Sequence, residues 1–396
     1  MKKHLSILLL VACALFAACT AEKPMSVRMT ESEMLRVPES WRLDFKDKIK
    51  WDYATGVELE GMLNTYERYG DERIWQYVLA FCDTMVNEDG TIKTYRPHEE
   101  SLDRIHTAKL FYRVYDKTGE AKYRRALDLV RSQLTHQPRT NAGGFWHKKV
   151  YPWQMWLDGL YMGSPFYAEY TRRYGGYNTT VDSCYADIIH QFAVVAEKTY
   201  DPATGLFRHA WDESREQRWC DSITGQSAHS WGRAQGWFAM AIVDVLEQLP
   251  ADVEGREVML AILNSVAQGV KNFQDPATGL WYQVLDCPGR EGNYLESSCS
   301  AMFVFSLYKA IRLGFLDSSY LAVAEKGYQG ILDHFIEEHE DGTISLTRTC
   351  AVAGLGGKVY RAGDYDYYIN EQIRSNDPKA LGPFINASLE YELLHR

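Results

Sequence analysis

A glycine followed by an apolar or aromatic pair recurs along the chain at nearly even spacing. The copies are Asp89-Gly90-Thr91-Ile92, Gly143-Gly144-Phe145-Trp146, Thr204-Gly205-Leu206-Phe207, Thr278-Gly279-Leu280-Trp281 and Asp341-Gly342-Thr343-Ile344. From Gly90 to Gly342 there are 252 residues in four intervals, so the mean period is 63 residues. Repeats of this kind indicate stacked supersecondary units rather than independent domains.

Apolar residues recur at spacings of three and four between these copies, which is the period of an amphipathic helix. The pattern predicts helices over Val57–Tyr69, Ile74–Val86, Leu102–Tyr115, Tyr123–Leu134, Leu160–Tyr174, Val181–Tyr200, Trp237–Leu249, Val258–Phe273, Ala301–Leu313, Leu321–Ile336 and Pro383–Leu394. Short strands are expected only near Thr91–Tyr95 and Thr343–Leu346. Each unit thus holds two helices, and the 378 residues from Cys19 onward correspond to six units.

Six helical hairpins with alternating inner and outer helices can close into a toroid, which removes the need for capping repeats. We therefore predict an all-α fold with one domain over residues 51–396, although 396 residues alone suggest two or three domains. Residues 20–50 are predicted to be an N-terminal linker and lead-in. The repeat loops, with their aromatic residues, are expected to surround a central cleft at one end of the ring, and the residues that begin each inner helix should point into it.

The N-terminal segment has the features of a secretory signal. Lys2 and Lys3 precede an apolar run over Leu5–Phe16, which is too short to span a membrane stably. Cys19 follows Phe-Ala-Ala and resembles a bacterial lipoprotein cleavage box. Residues 1–19 are therefore predicted to be a signal peptide with a lipid anchor at Cys19, and simple cleavage to a free periplasmic protein is the alternative. We expect an exported protein, periplasmic or anchored to the bacterial envelope, that meets a membrane only through this anchor.

Charge and cysteine usage exclude several classes of function. The chain has 43 Lys and Arg against 53 Asp and Glu, and the net charge of −10 argues against nucleic acid as a partner. The six cysteines after Cys19 form no C-x-x-C pair, so neither a zinc site of the usual spacing nor a required disulfide is predicted. No metal and no cofactor are predicted.

Two aspartates occupy similar positions relative to the repeat. Asp103 lies 14 residues after Asp89, and Asp158 lies 15 residues after Gly143. The two are 55 residues apart, close to one period, so we expect them in adjacent hairpins at the same end of the ring. Two carboxylates that face one cleft can share acid and base roles. The alternative for each is a helix cap or a surface charge.

Aromatic and cationic residues cluster near these positions. Aromatic residues make up 13% of the chain, and Trp and Tyr rings suit the stacking of sugars in a cleft. Arg233 and Trp237 are i and i+4 on a predicted helix, so they share a face. An Arg framed by Trp can hold a carboxylate through two parallel hydrogen bonds. The alternative is an Arg paired with an acidic neighbour within the wall. His147 and Lys148 add positive charge near the same rim.

These segments resemble glycoside hydrolase family 105, the unsaturated rhamnogalacturonyl hydrolases. The resemblance extends from about Trp51 to Leu394 and is strongest over Gly143–Met162. It is supported by Trp51-Asp-Tyr-Ala-Thr-Gly56, Leu102-Asp-Arg-Ile105, Trp231-Gly-Arg-Ala-Gln-Gly-Trp237, Ala353-Gly-Leu-Gly-Gly357 and Asn376-Asp-Pro-Lys-Ala-Leu-Gly-Pro-Phe384. The resemblance implies an (α/α)6 barrel, which agrees with the six units counted above.

The resemblance also implies roles for individual residues. Asp158 matches the general acid and base of the family, and Asp103 matches its second essential carboxylate. The residues that match the lining of the pocket for the unsaturated uronate are Tyr53, His209, Arg233 and Trp237, and Trp231 is placed with them. Trp156, His147 and Lys148 fall where the neighbouring sugar would lie.

The implied reaction removes the terminal Δ4,5-unsaturated galacturonyl residue from lyase-generated rhamnogalacturonan oligosaccharides by hydration of the vinyl-ether double bond. Three alternatives remain open. The enzyme could act on unsaturated glucuronyl ends of other polysaccharides, the barrel could carry a standard inverting glycosidase, or the protein could be a non-catalytic glycan-binding lipoprotein.

Overall fold

The computed structural model describes residues 23–395 and consists mainly of helices. The helices are α1 Met25–Arg36, α2 Tyr53–Tyr69, α3 Glu72–Met85, α4 Leu110–Thr118, α5 Ala121–Leu134, α6 Leu157–Tyr174, α7 Val181–Thr199, α8 Gly232–Gln248, α9 Arg256–Asn272, α10 Ser297–Arg312, α11 Leu321–Phe335, α12 Tyr365–Ile369 and α13 Pro378–Leu394. The strands are short and form antiparallel pairs: β1 Gln154–Trp156 with β4 Ala210–Asp212, β2 Tyr200–Asp201 with β3 Leu206–Phe207, β5 Ile336–Glu338 with β6 Ile344–Leu346, and β7 Thr349–Cys350 with β8 Ile373–Arg374.

Six inner helices form a closed ring. They follow one another as α2, α4, α6, α8, α10 and α13, and α13 packs back on α2. The outer helices α3, α5, α7, α9 and α11 each pack on the inner helix that precedes them in the chain. The prediction of an all-α (α/α)6 barrel is confirmed, and almost every predicted helix is present.

The helix α1 supplies the sixth outer position. The sequence predicts a linker and lead-in over residues 20–50, whereas in the structure α1 packs on α13 as its outer partner. Ser26 is bonded to the carboxylate of Glu392, 366 positions away, through its backbone N–H at 3.1 Å and its hydroxyl at 2.7 Å. The helices that complete this hairpin therefore come from distant parts of the chain.

Glycines permit the close approach of α2 and α13 where the ring closes. A Cβ atom on Gly382 would lie 2.2 Å from the carbonyl oxygen of Val57, and one on Gly61 would lie 3.0 Å from the carbonyl oxygen of Gly382. Any larger residue at Gly382 would push the two helices apart, because the obstructing atom belongs to the backbone.

The repeated glycines occupy a turn that follows each of five outer helices. Their φ angles lie between 75° and 90°, in the left-handed region that favours glycine; they are Gly90, Gly143, Gly205, Gly279 and Gly342. The long connections that contain these turns all lead from an outer helix to the next inner helix. They therefore gather at the end of the ring where the inner helices begin.

The aromatic residues of the repeat loops pack into the wall instead of lining the cleft, which corrects the expectation from the sequence. Phe207 is 2% exposed and packs edge-on against Phe238, and Trp281 is fully buried against Phe303. The loop turns back at each glycine, so the following apolar pair covers the seam between an outer and an inner helix.

Two predicted elements differ in detail. The segment Thr91–Tyr95 contributes only an isolated bridge between Val86 and Ile92, whereas the strand near Thr343–Leu346 is present as β6. The predicted helix Leu102–Tyr115 begins as two 3-10 turns before α4. Its first residues are tied elsewhere, because Leu102 N–H donates to the carbonyl of His147 at 3.0 Å.

The predicted signal peptide and Cys19 lie outside the described residues. Within residues 23–395, no helix is both long and apolar enough to cross a membrane. The six cysteines of this part of the chain are free thiols: Cys82, Cys184, Cys220, Cys287, Cys299 and Cys350.

Candidate active site

The strand pair β1–β4 brings two predicted site residues together at the end of the ring where the inner helices begin. The pair aligns Trp156 with Ala210, and Leu157 N–H donates to the carbonyl of His209 at 3.0 Å. Asp158 follows in the first turn of α6. His209 and Asp158, which are 51 positions apart, therefore lie side by side.

His209 bridges Asp158 and a tyrosine. Its Nε2 atom lies 3.2 Å from Oδ2 of Asp158, and its Nδ1 atom lies 2.7 Å from the hydroxyl of Tyr368. His209 is fully buried, and Asp158 retains 13% side-chain exposure. Neither Oδ2 nor Nε2 has a well-directed hydrogen bond within the described residues.

Asp103 lies in the neighbouring connection and is surrounded by positive charge. Its carboxylate is ion-paired with Lys148 and lies 3.3 Å from Nε2 of His147. Burial raises the pKa of Asp103, but the charge of Lys148 and the hydrogen bond that Lys148 donates act against this effect, and the pKa is held below its ordinary value. Asp103 is therefore an anion at neutral pH.

The imidazole of His147 lies next to the carboxylate of Asp103 and is kept neutral. Burial lowers the pKa of His147 to about 4, and the charges of Asp103 and Asp158 only partly oppose this effect. The ring stacks on Trp156 with centroids 4.6 Å apart. Gly159 leaves the space for it, because a Cβ atom there would lie 3.0 Å from Nδ1 of His147.

Tyr53 is the first residue of α2, and its side chain lies near both the charged groups of the site and the ring of Trp237. Burial raises the pKa of its hydroxyl well above the ordinary value, and the charges of Asp103 and Asp158 add to this effect while Arg233 opposes it. The ring of Tyr53 meets Trp237 edge-on at 6.3 Å. Tyr53, Asp103 and Lys148 also line an open cleft of about 490 Å³.

Arg233 is paired within the wall, which is the alternative that the sequence left open. It is 1% exposed and lies 3.5 Å from the Glu296 carboxylate. Its Nε atom donates to Ser298 at 2.8 Å, and Nη2 donates to the carbonyl of Cys350. The guanidinium also lies 5.3 Å from the ring centroid of Trp231. These partners occupy much of the donor capacity that was predicted for a substrate carboxylate.

The indole of Trp156 lies within a stack of rings. Tyr151 lies 5.2 Å from it at 8°, His147 lies 4.6 Å from it at 14°, and His209 meets it at 70°. Both faces of the indole face other rings, and Trp156 is 4% exposed. It therefore shapes the wall rather than offering an open face to a neighbouring sugar.

Two residues near the site were missed from the sequence. Glu296 caps α10, 17 residues after Gly279, a place similar to that of Asp158 after Gly143. Tyr368 lies in α12, within the connection that leads to the last inner helix. The repeat spacing applied to the fourth copy could have identified Glu296, whereas Tyr368 lies 26 residues after Gly342 and the spacing does not indicate it.

One group of side chains in the described residues has the composition of a metal site. His229, Asp286 and Cys287 place their ligand atoms within 4.8 Å of one another. Arg208 already donates to Oδ2 of Asp286 at 2.9 Å, the same atom that lies 2.9 Å from Nδ1 of His229. A bound cation would have to displace this guanidinium, so we interpret the group as an ion-pair cluster.

Comparisons with known proteins agree with this arrangement. The family model of Glycosyl Hydrolase Family 88 matches residues 25–395. Protein Atu3128 of Agrobacterium fabrum is 41% identical over 241 residues, which are 59% of this chain and 100% of that protein. The unsaturated rhamnogalacturonyl hydrolase YesR of Bacillus subtilis is 25% identical, over 83% of this chain and 87% of its own.

A solved glycoside hydrolase of family 105 from C. acetobutylicum ATCC 824 superimposes with a TM-score of 0.89 at 42% identity. The match covers 94% of this chain and 100% of that one. The chain therefore belongs to the glycoside hydrolases described by Family 88, and its resemblance to family 105 is confirmed.

Proposed function

We propose that this enzyme hydrolyses the terminal Δ4,5-unsaturated galacturonyl residue of rhamnogalacturonan oligosaccharides. The observation that carries the proposal is the pair of unlike carboxylates at one mouth of the barrel. Asp103 is held as an anion by Lys148, whereas Asp158 keeps an unpartnered oxygen 3.2 Å from His209. The similarity to YesR, named for this activity, supports the choice of substrate.

The unlike carboxylates suit hydration of a vinyl ether. Asp158 would protonate C4 of the unsaturated sugar, and positive charge would develop at C5 and the ring oxygen. Asp103 would stabilise this charge, since a preorganised anion in a partly buried site interacts strongly with a developing cation. Water would add at C5 and return a proton to Asp158. The resulting hemiketal opens to a C5 ketone and a hemiacetal at C1, which collapses and releases the next sugar as an alcohol.

The test is a comparison of three disaccharides under one condition: unsaturated galacturonyl-rhamnose, an unsaturated glucuronyl disaccharide and saturated galacturonyl-rhamnose. We expect the ultraviolet absorbance of the first to fall fastest and the saturated sugar to be unchanged. In D₂O, the product should carry deuterium at C4, because that carbon receives the proton.

Other outcomes would contradict the proposal in distinct ways. Faster loss of the glucuronyl substrate would show that the enzyme acts on unsaturated glucuronyl ends instead of galacturonyl ends. Cleavage of the saturated disaccharide without deuterium at C4 would indicate an ordinary glycosidase, in which two carboxylates flank the glycosidic bond. Binding of all three sugars without turnover would indicate a glycan-binding protein.

We also propose that the protein is exported and anchored through Cys19. The support is the sequence alone: two lysines, an apolar run and Cys19 after Phe-Ala-Ala. Replacement of Cys19 by Ala should move the enzyme from the membrane fraction to the soluble fraction of the cell envelope. Recovery of the unaltered protein in the soluble periplasmic fraction would contradict the anchor.

A further inference from the structure

Arg361 is a half-buried cation at the rim of the candidate site that forms no ion pair within the described residues. Its hydrogen bonds go to neutral oxygens: Nε donates to Gly356 O at 3.0 Å, and Nη2 donates to the Tyr151 hydroxyl at 2.9 Å and to Leu355 O at 3.1 Å. In the same part of the chain, Nη1 has no hydrogen-bond partner. A guanidinium held in this way keeps its full charge available.

Glycines form the space that the guanidinium occupies. A Cβ atom on Gly354 would lie 2.2 Å from Nη1 and 2.7 Å from Cζ of Arg361, and one on Gly357 would lie 3.4 Å from Nη2. The segment Ala353–Gly357, which is part of the family resemblance, therefore acts as a cradle for one arginine. Gly356 and Arg361 also pair through their backbones, which closes the loop around the side chain.

The ring stack connects Arg361 to the two aspartates. Its Cζ atom lies 5.9 Å from the centroid of Trp156 and 6.0 Å from that of Tyr151. Trp156 in turn contacts both His147, beside Asp103, and His209, beside Asp158. Burial raises the pKa of Tyr368, the partner of His209, and the charges of Asp158 and Arg361 then act on this pKa in opposite directions. The positive charge of Arg361 therefore acts on groups of the candidate active site.

Anion binding requires a positive charge that is accessible and not already paired with a carboxylate, and Arg361 differs from Arg233 in this property. Arg233 is almost fully buried and lies 3.5 Å from Glu296. Arg361 has neither a carboxylate partner in residues 23–395 nor complete burial. An arginine binds carboxylates through parallel hydrogen bonds, and the unneutralised cation offers the larger gain.

From this geometry we propose that Arg361 binds a carboxylate of the oligosaccharide substrate. The inference rests on the proposed function for the identity of the sugar. The carboxylate has two sources in such a substrate, the unsaturated uronate itself and a uronate further along the chain.

The test measures equilibrium binding, so it does not depend on turnover. Asp158→Asn protein is titrated with the unsaturated galacturonyl-rhamnose disaccharide and with its methyl ester, with tryptophan fluorescence as the readout. Addition of Arg361→Gln should weaken binding of the acid about 10- to 100-fold, the range expected for a charged hydrogen bond, and leave the ester within about twofold. A tetrasaccharide with a second uronate distinguishes the sources, because a loss seen only with this ligand assigns the distal carboxylate.

Arg218→Gln is the matched control. Arg218 is an exposed arginine of the same rim, 4.3 Å from the ring centroid of Tyr360, and its loss should leave all affinities unchanged. Equal weakening of acid and ester by Arg361→Gln, with either oligosaccharide, would indicate a structural role and overturn the proposal. Unchanged binding of every ligand would overturn it as well. Failure of the wild-type enzyme to consume the disaccharide would instead contradict the proposed function alone.

Gly354→Ala provides a second variant that keeps the arginine. The added methyl group would displace the flexible end of Arg361, because its three nearest atoms all belong to that guanidinium. It should therefore weaken binding of the acid more than that of the ester, in the same direction as Arg361→Gln. If this variant bound the acid and the ester as tightly as its parent binds them, the position of the guanidinium would not matter, and the proposal would be contradicted.

Discussion

Oδ2 of Asp158 lies 3.2 Å from Nε2 of His209, and the backbone bond from Leu157 N–H to His209 O fixes this relationship. Asp158 lies in the first turn of α6, and His209 lies in the connection that leads to the next inner helix. The imidazole is fully buried, and its other nitrogen lies 2.7 Å from the hydroxyl of Tyr368. A carboxyl that must lose and regain a proton thus has a buried imidazole and a tyrosine hydroxyl behind it.

Replacement of Asp158 by Asn should lower kcat about 10³-fold, because removal of a general acid costs about 10²- to 10⁴-fold. Asn has the same size, so the melting temperature should change little. The measurement is the loss of ultraviolet absorbance of the unsaturated disaccharide. An unchanged rate in a folded variant would refute the assignment of Asp158 as proton donor.

Tyr368→Phe should lower kcat about tenfold and change KM little, since the loss of one buried hydrogen bond costs about 1–3 kcal/mol. The variant leaves Nδ1 of His209 without its partner. Tyr365→Phe is the control, because the hydroxyl of Tyr365 bonds only to Arg290 O and Glu291 O in the same region. Equal effects of the two substitutions would show that the bond to His209 has no special importance.

His147 should make the folded state less stable in acid. Its pKa is lowered from 6.5 to about 4, so the unfolded chain binds the proton more readily between these values. The free energy of unfolding therefore rises with pH across this window and falls as the pH is lowered from 6.5 to 4. His147→Gln should reduce this loss by up to about 3 kcal/mol, at 1.36 kcal/mol per pKa unit. Urea unfolding at several pH values tests this, and an identical pH slope in both proteins would contradict it.

Glu58→Met should stabilise the protein at neutral and alkaline pH by about 1–3 kcal/mol, the cost of a buried unsatisfied polar group. Glu58 is fully buried, and both carboxylate oxygens lack partners in the described residues. Burial, aided by the nearby charge of Glu33, raises the pKa of Glu58 well above 4.5. Glu58 therefore lowers the free energy of unfolding more and more as the pH rises above 4.5. The stabilisation gained from the substitution should grow with pH in the same way. A variant that is less stable at pH 8 than at pH 5, relative to wild type, would contradict this sign.

Gly382→Ala should destabilise the protein by about 1–3 kcal/mol, the usual cost of overpacking. The added Cβ atom would lie 2.2 Å from the carbonyl oxygen of Val57. Gly163→Ala is the matched control, because a Cβ atom in that inner helix meets only the end of Leu102, at 3.3 Å. Thermal unfolding compares them, and similar melting temperatures would argue against tight closure at Gly382.

Local periodicity was sufficient to predict most of the helices but could not reveal α1. Of the five buried residues of α1, only Met29 is apolar, and the others are Ser26, Thr30, Ser32 and Glu33, so the buried face of this helix is largely polar. The same reasoning explains the 3-10 turns near Leu102. Hydrogen bonds from a distant connection replace the helical ladder there, and no local pattern encodes them.

The candidate site was predictable where the repeat placed residues in register. The 55-residue spacing of Asp103 and Asp158 indicated one mouth of the ring, and the structure has them there. The acidic partner of Arg233 was not predicted from the sequence, although Glu296 lies 63 residues later, one repeat period away. The i, i+4 pattern describes one helix face and says nothing about the helix opposite. The cradle around Arg361 likewise depends on the path of a loop.

The hairpin formed by α1 and α13 has a consequence for the unfolding of the protein. A linear array of repeats can fray from its terminal units, because each of these has only one neighbour. In this ring every inner helix is flanked on both sides, so opening at any point breaks contacts at two seams. Unfolding should therefore be cooperative across all six hairpins, despite a sequence that repeats. A protease that removed α13 would take an inner helix out of the ring and break both of its seams at once.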